Sequence, residues 1–88
     1  MRAIETTIQD LHNVNKFHSY RFFYTSDNEI VECQYCQTIG QLNNNDYIVK
    51  ESYDSGMREF DLASPIYPQY FEKALQFVNE CLKNPITL

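Results

Sequence analysis

The chain predicts an α+β fold: a four-stranded antiparallel meander with a C-terminal amphipathic helix, and a short N-terminal helix, packed on one face. Two observations carry this. Near the C-terminus, Phe71, Ala74, Leu75, Val78 and Leu82 recur at helical spacing. Between residues 17 and 62, apolar residues alternate with polar ones and are punctuated by Asn, Asp, Ser and Gly. At 88 residues the chain is one domain, 1–88, with room for one small core. Thirteen aromatics, seven Tyr and six Phe with no Trp, can fill such a core with few side chains.

Ile4, Ile8 and Leu11 stand at i, i+4, i+7, which predicts a helix over about 3–11, although Thr6 and Thr7 are poor helix formers. Residues 12–15 read as a loop. Phe17 to Thr25 is dense in aromatics and predicts a strand with rings on both faces: Phe17 and Phe23 on one, Tyr20, Phe22 and Tyr24 on the other. Ser26-Asp27-Asn28 is turn chemistry. In the next strand, 29–39, Val31, Cys33, Tyr35 and Ile39 share one face, and Glu32, Gln34 and Thr38 the other. A loop over 40–46 holds three consecutive asparagines. Strands at 47–53 and 57–62 follow, separated by Asp54-Ser55-Gly56. In the last of these Phe60 and Leu62 point inward, Glu59 and Asp61 outward. Pro68 suits the first position of a helix, where its missing N–H costs nothing, and Asn84-Pro85 stops that helix.

The charge is uneven. Residues 26–63 hold eight acids, Asp27, Glu29, Glu32, Asp46, Glu51, Asp54, Glu59 and Asp61, against Lys50 and Arg58. The net charge of the whole chain is −5. Direct binding to nucleic-acid phosphates is therefore not expected, because affinity there comes from Lys and Arg. An acidic surface suits a basic partner instead. Three cysteines, an odd number, argue against a disulfide framework and for a reducing, cytoplasmic setting, that of a host cell if the chain is viral. No apolar run is long enough to span a membrane, and residues 1–10 lack the layout of a signal peptide.

Motifs that carry chemistry are incomplete. Cys33-Gln34-Tyr35-Cys36 is a CxxC, but residues three apart on a strand face opposite sides of the sheet. A zinc site would need His12 and His18 as further ligands. A Cys36–His18 nucleophilic pair has no orienting third group. Two glycines, Gly40 and Gly56, cannot make a phosphate loop, so no enzyme, metal or cofactor is expected.

The acidic strands are what the chain does offer. Glu32, Glu59 and Asp61 should share the open face, with Asp27, Glu29, Asp46 and Asp54 at its margins and Tyr35, Tyr47 and Tyr53 on the same strands, where alternation sets Glu51 with Tyr47, Val49 and Tyr53. The expected partner-binding set is Glu29, Glu32, Tyr35, Asp46, Glu51, Tyr53, Asp54, Glu59 and Asp61. In size and composition the chain resembles the small acidic inhibitors, anti-CRISPR proteins and other nucleic-acid mimics, that bacteriophages and mobile elements direct at nucleic-acid-handling enzymes. That resemblance implies a binding protein that blocks a basic surface. Solubility alone would also account for acids on an open face. A second expectation comes from the ββββα order, which resembles the transcription-coactivator and Whirly-type single-strand binders. They imply an aromatic stacking platform, here Tyr20, Phe22 and Tyr24 with Lys16 and Arg21. A small Cys/His metal protein is a third, and pairing of edge strands in a homodimer is open.

Overall fold

The computed structural model describes residues 1–43, 46–52 and 56–83. In chain order the elements are β1 (Arg2–Gln9), β2 (Lys16–Tyr24), β3 (Ile30–Asn43), β4 (Asp46–Ser52), β5 (Arg58–Phe60) and α1 (Pro68–Lys83). The strands form one antiparallel sheet in the order β1-β2-β3-β4. β5 also pairs with β3, rather than with β4. The fourteen residues of β3 therefore serve two partners along one side, β5 at Cys33–Tyr35 and β4 at Thr38–Asn43. The α+β class, the antiparallel meander and the C-terminal helix follow the sequence reading.

The N-terminal segment does not. Residues 2–9 form β1, an edge strand paired to β2 without a register break, where a helix over 3–11 was expected. The physical reason is an ambiguity of period. Residues four apart share a face in a strand as well as in a helix, so Ile4 and Ile8 fit both. Leu11, the residue that favoured a helix, is 57% exposed and lies beyond the strand. The β-branched pair Thr6-Thr7 was the better signal. The chain at 40–43, expected to be loop, continues β3.

One sheet face is covered by α1, and the core lies between them. Tyr20 and Phe22 from β2, Cys33 and Tyr35 from β3, and Tyr70, Phe71, Ala74 and Val78 from α1 are buried together. Phe71 is the centre of the aromatic packing, with its ring centroid 5.8 Å from Tyr20, 5.7 Å from Phe22 and 5.8 Å from Phe60. The pairs with Tyr20 and Phe60 are edge-on, the arrangement that ring quadrupoles favour. Phe77 is 51% exposed, outside the seam. Val31 is also exposed, because the register slips between Phe23 and Tyr24 and leaves Val31 as the extra residue of a bulge.

Replacing Phe71 by Ala should destabilise the fold by about 3–5 kcal/mol, the usual cost of emptying a buried aromatic site. Urea unfolding monitored by circular dichroism measures this, and a loss below about 1 kcal/mol would mean that α1 is not seated through Phe71.

Candidate functional site

Two places combine polar side chains in a defined geometry: a buried network under α1 and the open face of the sheet.

The network centres on His18. Its even position on β2 puts it on the same face as Tyr20 and Phe22, so it enters the core and is fully buried. Its Nε2–H donates to Asp10 Oδ1 at 2.8 Å, and its Nδ1 lies 2.6 Å from Tyr35 Oη. The Tyr70 hydroxyl donates to the same Asp10 oxygen at 3.1 Å and accepts from the Leu11 N–H at 2.9 Å. Tyr35 donates to Gln37 Oε1 at 3.1 Å. The His18 ring stacks on Tyr70 with centroids 4.1 Å apart and meets Tyr67 at 5.1 Å. The His18 hydrogen bond, joined by the His12 N–H, holds the Asp10 carboxyl well below the usual carboxylate range. An Asp–His pair invites a catalytic reading. Here both imidazole nitrogens are engaged and the ring is sealed by aromatics, so neither can reach a substrate proton. The network is structural.

The cysteines and histidines do not meet. Cys33 faces the core, and burial pushes its thiol up to about 12, which leaves it inert as a nucleophile. Cys36 stands opposite Ser19, on the other face from His18. His12 is exposed in the β1–β2 loop. Among the described residues no group of three His, Cys, Asp or Glu side chains converges as a metal site.

The open face is built by the odd residues of β1 and β2 with the even residues of β3. The pairing Glu5↔Arg21, Arg21↔Gln34 and Gln34↔Glu59 lays these four side chains in one row across it. Arg21 grips Glu5 at 3.0 Å, an exposed pair. Thr7 and Ser19 share a hydrogen bond of 2.9 Å in the next row. On the other side, Ala3↔Phe23 and Phe23↔Glu32 form a third row, so Glu32 stands diagonally from Glu59. The hydrogen bond to Glu59 and the charge of that carboxyl push Glu32 above its ordinary value. Two carboxyls of like charge, held on an open face by strand pairing, repel one another.

Among the other expected site residues, Asp61 is exposed beyond β5, where its Oδ1 accepts from the Ala63 N–H at 2.9 Å and fixes the turn. Glu29 is exposed at the β2–β3 turn. Asp46 and Glu51 lie on β4 opposite Asn43 and Ile39. Tyr53 and Asp54 lie outside the described residues. Tyr35 is a correction: it is 1% exposed, bonded to His18, and contributes to the core rather than to any outer surface. Its parity with Cys33 already placed it on the inner face. The aromatic platform is corrected too, since Tyr20 and Phe22 are sealed beneath α1 and no base can stack on them. Comparison of the chain with protein-family models, curated proteins and solved structures gives no match.

The two perturbed carboxyls act on stability with opposite signs. Asp10 has a depressed value in the folded state, so its contribution is present above the ordinary value of 3.8 and is lost as pH falls toward the folded value. Urea unfolding over an acid pH series should show a steeper loss for the wild type than for Asp10→Asn. Glu32 has a raised value, so the fold favours its protonated form, and that advantage is lost as pH rises through the folded value. Glu32→Gln should therefore raise Tm at about pH 7, and the gain should vanish near pH 4, about the ordinary glutamate value. An equal gain at both pH values would show that Glu59 exerts no charge on Glu32.

Proposed function

We propose that this chain is a small acidic binding protein, not an enzyme, whose open sheet face docks on the basic surface of a nucleic-acid-handling protein and blocks it. Inhibitors of this kind are made by phages and mobile elements and work inside the cell. The observation that supports the reading most is the Glu32–Glu59 pair. Its mutual repulsion disfavours the ionised state of the free protein, and an Arg or Lys placed against it by a partner would relieve that cost. Glu5 adds a third carboxylate in the same surface, and Arg21, held by Glu5, is the nearest base on it. Half-buried Phe17 and Phe23 give the face apolar ground between its charges. α1 covers the opposite face over β1, β2 and the adjoining part of β3, which leaves this one as the wide polar surface there.

Affinity capture from the native host at low and high salt tests this. The expected partner is a basic nucleic-acid-binding protein that is retained at low salt and lost at high salt. Glu32→Gln with Glu59→Gln should weaken that binding by about tenfold, since each exposed ion pair is worth up to roughly 1 kcal/mol. An acidic partner, binding indifferent to salt, or full affinity in the double variant would overturn the proposal.

A further inference from the structure

β1 is an edge strand with few of the usual protections, its one charge over Ala3–Gln9 being Glu5. Over Ala3–Gln9 it has no Pro, no Lys and no bulge, and its register with β2 is unbroken. β5, by contrast, is blunted by its length of three residues. The outward backbone groups of β1 can be assigned. The Asp10 N–H donates to Lys16 O at 2.9 Å, so this pair is a hydrogen-bonded one. Alternation along the ladder then makes Ile8↔His18, Thr6↔Tyr20 and Ile4↔Phe22 the hydrogen-bonded pairs. The N–H and C=O groups of Ala3, Glu5, Thr7 and Gln9 consequently point away from the sheet.

We propose that β1 pairs antiparallel with β1 of a second copy, with the two-fold axis at Thr6. In that register Glu5 lies opposite Thr7 and Ala3 opposite Gln9 of the second copy, and each pair exchanges two backbone hydrogen bonds. Thr6 meets Thr6, and Ile4 meets Ile8, at the close non-hydrogen-bonded positions where side chains touch best. Ile4 and Ile8 are half-buried at the flank of the core in the single copy, and this pairing covers their open sides. Neighbouring registers are worse. An axis at Glu5 sets Glu5 against Glu5, and an axis at Thr7 sets Ile4 against the Asp10 carboxylate. The interface is isologous and joins two five-stranded sheets into one, with both helices on the same side. It does not rest on the binding role of the acidic face.

Sedimentation equilibrium of the full chain from micromolar to millimolar concentration tests the pairing, together with amide exchange. A dimer is expected in which the amides of Ala3, Glu5, Thr7 and Gln9 gain protection with concentration, while those of Ile4, Thr6 and Ile8 are protected throughout. Thr7→Pro removes an outward donor and leaves the β2 ladder whole, so it should abolish the dimer and keep the fold. Thr7→Lys places an ammonium opposite Glu5 of the second copy and should tighten the dimer about three- to tenfold. Thr7→Glu places a carboxylate there and should weaken it by a similar factor. A monomer at every concentration overturns the proposal. So does a dimer that survives Thr7→Pro, or one whose Kd moves in the same direction for Thr7→Lys and Thr7→Glu.

Discussion

The constraint on which the structure depends is the seating of one buried imidazole. His18 is a polar ring at a core position of β2, and burial of such a ring is costly unless its nitrogens are bonded. The fold meets that demand from three directions at once. Asp10 comes from the β1–β2 loop, Tyr35 from β3, and Tyr70 from α1, where it stacks on the imidazole and shares the Asp10 oxygen. Satisfying one side chain thus fixes the helix against the sheet and the loop against the helix. A purely apolar seam would tolerate sliding of α1 by a fraction of a turn. A hydrogen-bonded seam does not, because every displacement leaves a buried donor or acceptor unmet.

The two sheet faces then have different work. The inner face is defined by parity: His18, Tyr20 and Phe22 on β2, Cys33 and Tyr35 on β3. The outer face receives the alternate residues of β1, β2 and the adjoining part of β3, and those are polar or charged except for Ala3, Phe17, Phe23 and Cys36. The chain has one helix among its described elements, enough to cover one face. Strand pairing brings Glu32 and Glu59 together on the other, although they are 27 residues apart in sequence. Such a contact opposes folding in isolation, and it is the kind of local conflict that binding sites carry.

Much of this was legible in the sequence, for physical reasons that vary by element. α1 was readable because a 3.6-residue period sustained over sixteen residues has no competing explanation. β3 was readable because polar and apolar residues alternate along it, and the same rule applied to β3 and β5 placed Glu32 and Glu59 on the open face. β1 was not, because Ile4 and Ile8 satisfy both periods and the edge strand lacks a strong two-fold pattern of its own. The His18 network was missed for a different reason. A histidine flanked by polar Ser19 reads as a surface residue until its parity with Tyr20 and Phe22 is followed, and no local pattern announces that Asp10 and Tyr70 will reach it. Side-chain networks are properties of the assembled layers, not of any one element.

The start of α1 carries one more consequence. Tyr67, just before Pro68, has φ of 49°, a left-handed conformation that costs a bulky residue on the order of 1 kcal/mol or more. Its carbonyl accepts from the N–H groups of Tyr70 and Phe71 and from the Tyr20 hydroxyl, and its ring lies against His18. The unassembled chain has less reason to adopt that backbone, since part of what offsets its cost, the Tyr20 hydroxyl and the rings of His18 and Tyr35, belongs to β2 and β3. The first turn of the helix is thus set by the sheet as well as by its own sequence, in which Pro68 opens it. Helix and sheet are thereby made to appear together, and the folding transition gains cooperativity from a single residue held in an uncommon conformation.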